Sequence, residues 1–503
     1  MFGAETSKIK WRRLILRDQH LKVNISLHST EISDESVRLW NSDEVAENIE
    51  SQLLAITSMS NLEALALLGL PEVPNTTPLE ELQILLRYAA EIEHGLMIQY
   101  LYALYATKNN RARGILKGIA IEEMGHWITV LNLLVASGTS IHLSRYDWSE
   151  AKTFDPMEFE LTPVSPQSIA RLAMAEMPDK KHIDREDRKA LEDIIRAGGT
   201  VDPTKLHRVG LLYMKIYWLL RSNDEVREDP DKEPWIDYPV ATVAASFPGR
   251  HISTFPENSN VNWQALPTHW KRNFPTLIAR NYIDRPAALF GIADISAQGE
   301  GFAQYEDTSN PGVSPGGHFD RLVEVFGIVK SDTGDFGVPV PENPSYETTV
   351  SEIPSENKIT SEDGIRFAML GDKFYEITLL TVALYYSVVA GSQAHNTPQE
   401  IATVSLDTMV NLLAVIGDEI TAIERTNKTT NLDQVCALCF QKPDLIANFT
   451  TDALSERVIE LVEESRKIAQ DLAESSDDED RRFIGMDLLD ELQAFDVFRS
   501  LST

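Results

Sequence analysis

The longest regular pattern in the chain is apolar recurrence at three and four residues over 79–107 and again over 112–137, with only the polar stretch 108–111 between them. That spacing predicts two long amphipathic helices, because residues three and four apart share one helix face. A turn this short makes them adjacent and antiparallel. Thr77 followed by Pro78 is a helix start, and Gly138 is a helix stop. Further helices are expected from Ser165 or Ser168 onward, over 204–222, over 276–305 with a break at Pro286, and from His318 to about 329, while the acidic-basic stretch 184–198 reads either as a short helix or as an exposed insertion. The same period returns over 365–390, 398–426 and 452–499. Residues 14–18 and 21–28 have β character, and 41–70 turn helical. The pattern describes a mainly α chain: an N-terminal mixed segment 1–77, a four-helix bundle over 78–330 with an insertion at 224–275, a Pro/Ser/Glu-rich linker 331–362, and a helical region 363–503. That last region packs either on the bundle or on another subunit.

Composition narrows the classes. Hydrophobic residues at 43% of a 503-residue chain supply a real core. The net charge of −31 argues against nucleic acid and anionic membrane surfaces as partners. The N-terminus lacks a signal-peptide core, so a cytoplasmic protein is expected, and a homodimer is compatible with the pattern. Cys436 and Cys439 are too few for a disulfide scaffold; their surroundings read as helix and as buried packing.

Some charged residues fall where the period demands apolar ones. Glu93 is flanked at helical spacing by Ala89, Ala90, Leu96, Met97 and Tyr100. Glu123 and His126 form an E-x-x-H pair flanked by Ile119, Ala120, Trp127 and Val130. An i, i+3 pair shares a face and can reach one ion. With the turn centred near Asn109, Glu93 lies 16 residues before it and Glu123 and His126 lie 14 and 17 after it. At about 1.5 Å per residue all three sit roughly 21–26 Å from the turn, at one height of the hairpin. Oxygen and imidazole ligands converging from two helices form a metal site, and this donor set suits iron, or manganese, better than zinc thiolate chemistry. A second half-site is expected from Glu300, set between two glycines, and His318 across a Pro/Gly loop.

The run of motifs, E-x6-Y-L-Y-A-L-Y, E-E-M-x-H, Q-G-E-G and G-H-F-x-R-x-x-E, resembles the ferritin-like domain of the iminophenylpyruvate dimer synthase family of the violacein and rebeccamycin pathways, over about 78–330. The resemblance implies a ferritin-like bundle with two iron ions held by Glu93, Glu123, His126, Glu300 and His318, Glu123 bridging. It departs from many ferritin-like di-iron sites at the second E-x-x-H, since Pro315 stands three before His318. That leaves one side short of carboxylate, with Glu306, Asp307 and Glu376 as candidate further ligands. Enzymes of those pathways are longer and associated with haem; no haem-attachment signature is present, so their coupling reaction is not carried over. The expected activity is that of an oxygen-dependent di-iron oxidase or oxygenase acting on a small, amino acid-derived molecule in specialised metabolism. Glu123 and Tyr100 are the candidate catalytic residues, and Trp127 and Tyr213 line the pocket or fill the core. Arg250, His251, His269 and Arg272 are candidates for a lid or for a structural insertion. The alternative is iron binding or storage without organic chemistry.

Overall fold

The computed structural model describes residues 10–12, 70–146, 159–177, 187–198, 208–222, 247, 250–253, 255, 261–271, 274–299, 317–331, 336–346, 357–391, 397–425, 434–444 and 450–500. Two short strands, β1 (Lys10–Arg12) and β2 (Leu70–Glu72), pair antiparallel. The remaining N-terminal expectations, at 14–18, 21–28 and 41–69, lie outside the described residues.

Helix α1 (Pro78–Tyr105) begins as its sequence dictates. Thr77 accepts from the Glu80 amide at 3.3 Å while the Glu80 carboxylate accepts from the Thr77 amide at 2.8 Å, a reciprocal cap that satisfies two otherwise orphaned donors. Helix α2 (Asn110–Ala136) is capped by Asn109, which accepts from the amides of Arg111 and Ala112, and it ends where Gly138 takes φ +83°. The hairpin of α1 and α2 is the spine of the molecule. Helix α3 (Pro166–Ala175) follows, capped at Ser165, then α4 (Asp187–Gly198), α5 (Arg208–Leu220), α6 (Arg285–Gln298) and α7 (His318–Ser331). Helix α5 packs on α1, α6 on α5 and α2, and α7 on α2 and α3.

The expected helix over 276–305 starts only at Arg285, and Pro286 sits in its first turn rather than at a kink. The cause lies across the interface. Thr129 Oγ1 donates to Ile278 O at 2.8 Å and accepts from the Arg280 amide, while Asn132 Nδ2 donates to the carbonyls of Ala265 and Arg280. Backbone groups that a helix would pair internally are satisfied by polar side chains of α2. Gly125 allows this closeness: a Cβ there would stand 2.7 Å from Ile278 O.

The C-terminal helices pack on the bundle. Helix α8 (Glu362–Ala390) is their centre, contacting α9 (Thr397–Asp407), α10 (Leu413–Ile420) and α11 (Thr451–Ser475), with α12 (Glu479–Glu491) folded back on α11. One π turn, Thr408–Leu412, joins α9 to α10. Tyr386 on α8 donates to Asn132 Oδ1 at 2.9 Å, and the Tyr375 hydroxyl lies 2.8 Å from His94 Nε2, tying α8 to both helices of the hairpin. The segment holding Cys436 and Cys439 is not helical; it is irregular chain, with both thiols buried and neither in a disulfide. Burial pushes the Cys436 thiol up to about 11, which suits packing rather than reactivity.

Candidate metal centre

Glu93 on α1 and Glu123 and His126 on α2 meet at one height of the hairpin, fully buried. His126 Nδ1 lies 3.4 Å from Glu93 Oε2 and 3.2 Å from Glu123 Oε2. His318, the first residue of α7, comes in from the other side: its Nδ1 lies 2.9 Å from Glu123 Oε1. The two imidazoles stack at 5.3 Å between centroids, and one donor atom each from Glu123, His126 and His318 falls within 4.8 Å of the others. Glu123 therefore stands between the histidines, one oxygen toward each.

The structure adds a residue that sequence reasoning missed. Glu176, capping the C-terminus of α3, is completely buried, and its Oε2 lies 3.6 Å from His318 Nδ1. The second half is thus not short of carboxylate, and no second E-x-x-H is required. The signal was present: Glu176 follows Ile169, Leu172 and Ala173 at spacings of seven, four and three, an acid closing an apolar stripe. Glu376 is not part of the cluster; it is paired with Arg457 at 3.1 Å. Glu300, Glu306 and Asp307 lie outside the described residues, as does Arg272. The other proposed lid residues are engaged in packing. Arg250 binds Glu81, His251 Nδ1 lies 2.9 Å from Trp218 O, and His269 Nδ1 lies 2.8 Å from the Tyr385 hydroxyl.

Each terminal carboxylate is held by a tyrosine. Tyr213 on α5 donates to Glu93 Oε1, and Tyr100 on α1 donates to Glu176 Oε1 at 2.6 Å. The opposite oxygens point inward. Glu93 Oε2, Glu123 Oε1, Glu176 Oε2 and His318 Nδ1 are all buried and none makes a well-formed hydrogen bond; they meet the cluster only as ion-pair contacts at 2.9–3.6 Å. Buried polar atoms in folded proteins are almost always paired, and each one left unpaired costs about 1–3 kcal/mol. Four such atoms converging on one volume fit a cation that would complete them.

The electrostatics agree. Burial drives the Glu123 carboxyl well above its ordinary value, and the carboxylates of Glu176 and Glu93 add to that against the pull of His318. Burial would push His318 down, but Glu123 and Glu176 outweigh it and raise the imidazole to about 10. His126 is likewise raised, burial being outweighed by Glu93, while Glu93 itself is held below its ordinary value by His126 against its own burial. Without a metal, protons on the imidazoles, and the resistance of the buried Glu123 carboxyl to ionising, offset the negative charge of the facing acids. A divalent cation would displace those protons and take over that role.

Comparison with known proteins agrees with this architecture. Residues 86–327 match a family model described as ferritin-like. A 2-imino-3-(indol-3-yl)propanoate dimerase of Chromobacterium violaceum is 24% identical over 344 residues, an alignment covering 60% of this chain and 28% of that protein. The chain therefore spans little more than a quarter of that relative's length. No solved structure gives a significant match.

Proposed function

Because residues 86–327 match a ferritin-like family model, we propose that this protein is a non-haem di-iron oxidase or oxygenase. One ion would be held by Glu93, His126 and Glu123, the other by Glu176, His318 and Glu123, with Glu123 as the bridge. Manganese is the other metal this donor set suits. The observation that carries the reading is the convergence of buried, inward carboxylate and imidazole atoms that lack well-formed hydrogen bonds, with Glu93 Oε2 beside His126, and Glu123 Oε1, Glu176 Oε2 and His318 Nδ1 on the other side. Reduced iron held there would supply the capacity to reduce dioxygen.

The chain's own residues account for the rest. Tyr213 and Tyr100 orient the terminal carboxylates, so that each presents one oxygen inward. The burial of every member keeps bulk water from the donors, which strengthens their charge on whatever is bound. Tyr100 is the candidate proton source beside the centre, since its hydroxyl already donates a hydrogen bond to the Glu176 carboxylate at 2.6 Å. For substrate, the similarity to a dimerase of 2-imino-3-(indol-3-yl)propanoate supports an α-imino acid or the amino acid behind it.

The test is in two stages. Metal analysis of protein purified from iron-supplemented cells is expected to give close to two ions per chain. Oxygen uptake by the loaded protein is expected to depend on an added aromatic amino or imino acid. Iron bound without any such dependence would leave binding or storage as the function, and a metal-free protein that takes up no iron would remove the proposal altogether.

A further inference from the structure

The two half-sites match part for part except at one position. Each has a terminal glutamate fixed by a tyrosine hydroxyl, one oxygen of Glu123, and a histidine presenting Nδ1 inward. Each histidine is braced from behind at Nε2, and the braces differ in charge. His126 Nε2 lies 2.9 Å from Gln298 Oε1. The amide's orientation is settled by its other end, since Gln298 Nε2 donates to Thr276 O at 3.1 Å, so the oxygen faces the ring and the ring nitrogen carries the proton. His318 Nε2 lies 3.0 Å from Glu122 Oε2, and Arg321, one turn along α7, pairs with the same carboxylate oxygen.

Glu122 has no direct part in the cluster: its nearest partners are His318 and Arg321, on the far side of the ring from the centre. We infer that Glu122 is a positioning residue that makes the His318 half-site the tighter of two metal positions, while the neutral Gln298 leaves the His126 half-site the weaker, so that divalent ions load in that order. The inference rests on the di-metal reading above.

The physical reason is polarisation through the ring. A carboxylate accepting the Nε2 proton makes a charge-assisted hydrogen bond, about twice as strong as one to a neutral acceptor. It pushes electron density toward Nδ1, the atom that would bind the metal, and it fixes the tautomer and the ring plane. An amide oxygen fixes the tautomer as well but supplies less density. Arg321 takes up part of Glu122's charge but pairs with the same oxygen without displacing it from the ring. At 3.0 Å the anion is also the group that touches the ring. Outer-shell partners of this kind change metal affinity by about 10–100-fold when replaced.

Anaerobic calorimetric titration of the metal-depleted protein with Fe(II), repeated with Mn(II), tests this. The unaltered protein is expected to bind two ions in steps at least about tenfold apart in affinity. His318→Ala should remove the tight step and His126→Ala the weak one. Glu122→Gln should weaken the tight step by about 10–100-fold and leave the weak step in place. Gln298→Glu should tighten the weak step, a gain that structural damage does not produce and that stands even if Glu122→Gln fails to fold. Two steps of equal affinity, or a Gln298→Glu protein with an unaltered weak step, would overturn the inference while leaving a two-metal protein intact. Absence of any Fe(II) or Mn(II) binding would instead remove the di-metal reading, and this inference with it.

Discussion

Helices α1 and α5 each contribute to two buried charge clusters, and the clusters are built on opposite principles. Near the start of α1, Glu81 is completely buried, with Lys215 of α5 at 3.1 Å on one oxygen and Arg250 at 2.9 Å on the other. The Val73 amide donates to it as well, and the Lys215 ammonium sits over the Phe247 ring at 3.6 Å. Twelve residues along α1, Glu93 stands with Glu176 as a carboxylate neighbour of Glu123, and among the described residues no lysine or arginine pairs with any of the three. A buried carboxylate that has its own side-chain cations is an architectural pair. Carboxylates gathered with only imidazoles for partners form a socket for a cation from outside, because the protons those imidazoles carry can be displaced by a metal while desolvated like charges still need something positive between them. Burial alone does not separate the two cases, whereas the inventory of cations does.

The same substitution at the two places should therefore have different effects on the metal-free protein. Glu81→Gln leaves Lys215 charged and buried with its main partner gone. It is expected to cost about 3–5 kcal/mol in the free energy of unfolding measured by urea titration. A cost below about 1 kcal/mol would show that the cluster is solvated and that the contrast fails.

Lys215 gives the next effect. Burial pushes its ammonium down to about 8 from the ordinary 10.5, against the pull of Glu81. Between those values the unfolded chain holds more protons than the folded one, so stability rises with pH across that window. Below about 8 both states are protonated and this group adds no slope. The gain over the window is on the order of 2–3 kcal/mol. Unfolding free energies of the unaltered protein and of Lys215→Met, taken from pH 7.5 to 10.5, should diverge by that amount in favour of the unaltered chain. Parallel curves would show that the lysine keeps its ordinary proton affinity.

Glu123→Gln is expected to have the smallest effect on the metal-free fold. It removes the acid that burial and its two carboxylate neighbours disfavour most, so stability in the presence of chelator should stay level or rise by up to about 1 kcal/mol. The same variant should lose at least one bound ion, and with it the thermal stabilisation that Fe(II) gives the unaltered protein. A chelated Glu123→Gln protein as unstable as Glu81→Gln would mean that Glu123 belongs to an architectural pair after all.

Much of this was legible in the chain because helix geometry is local. The apolar period marked α1 and α2, Thr77 and Gly138 marked ends, and counting residues from a short turn brought Glu93 level with Glu123 and His126. Less legible was the irregular backbone at 277–282. Its period reads as helix, and it is held otherwise by Thr129 and Asn132 of another element.

The sequence by itself determined the hairpin, its register and the acids and imidazole facing inward from it, since each of those follows from rises and turns within one stretch of chain. Only the tertiary structure decided that Glu176 joins His318, that Glu376 goes to Arg457, and that Gln298 and Glu122 stand behind the two rings. Those partnerships join residues between 81 and 196 positions apart, as their numbering shows. No periodicity reaches across such distances; which acid meets which base there is fixed by the packing of whole helices.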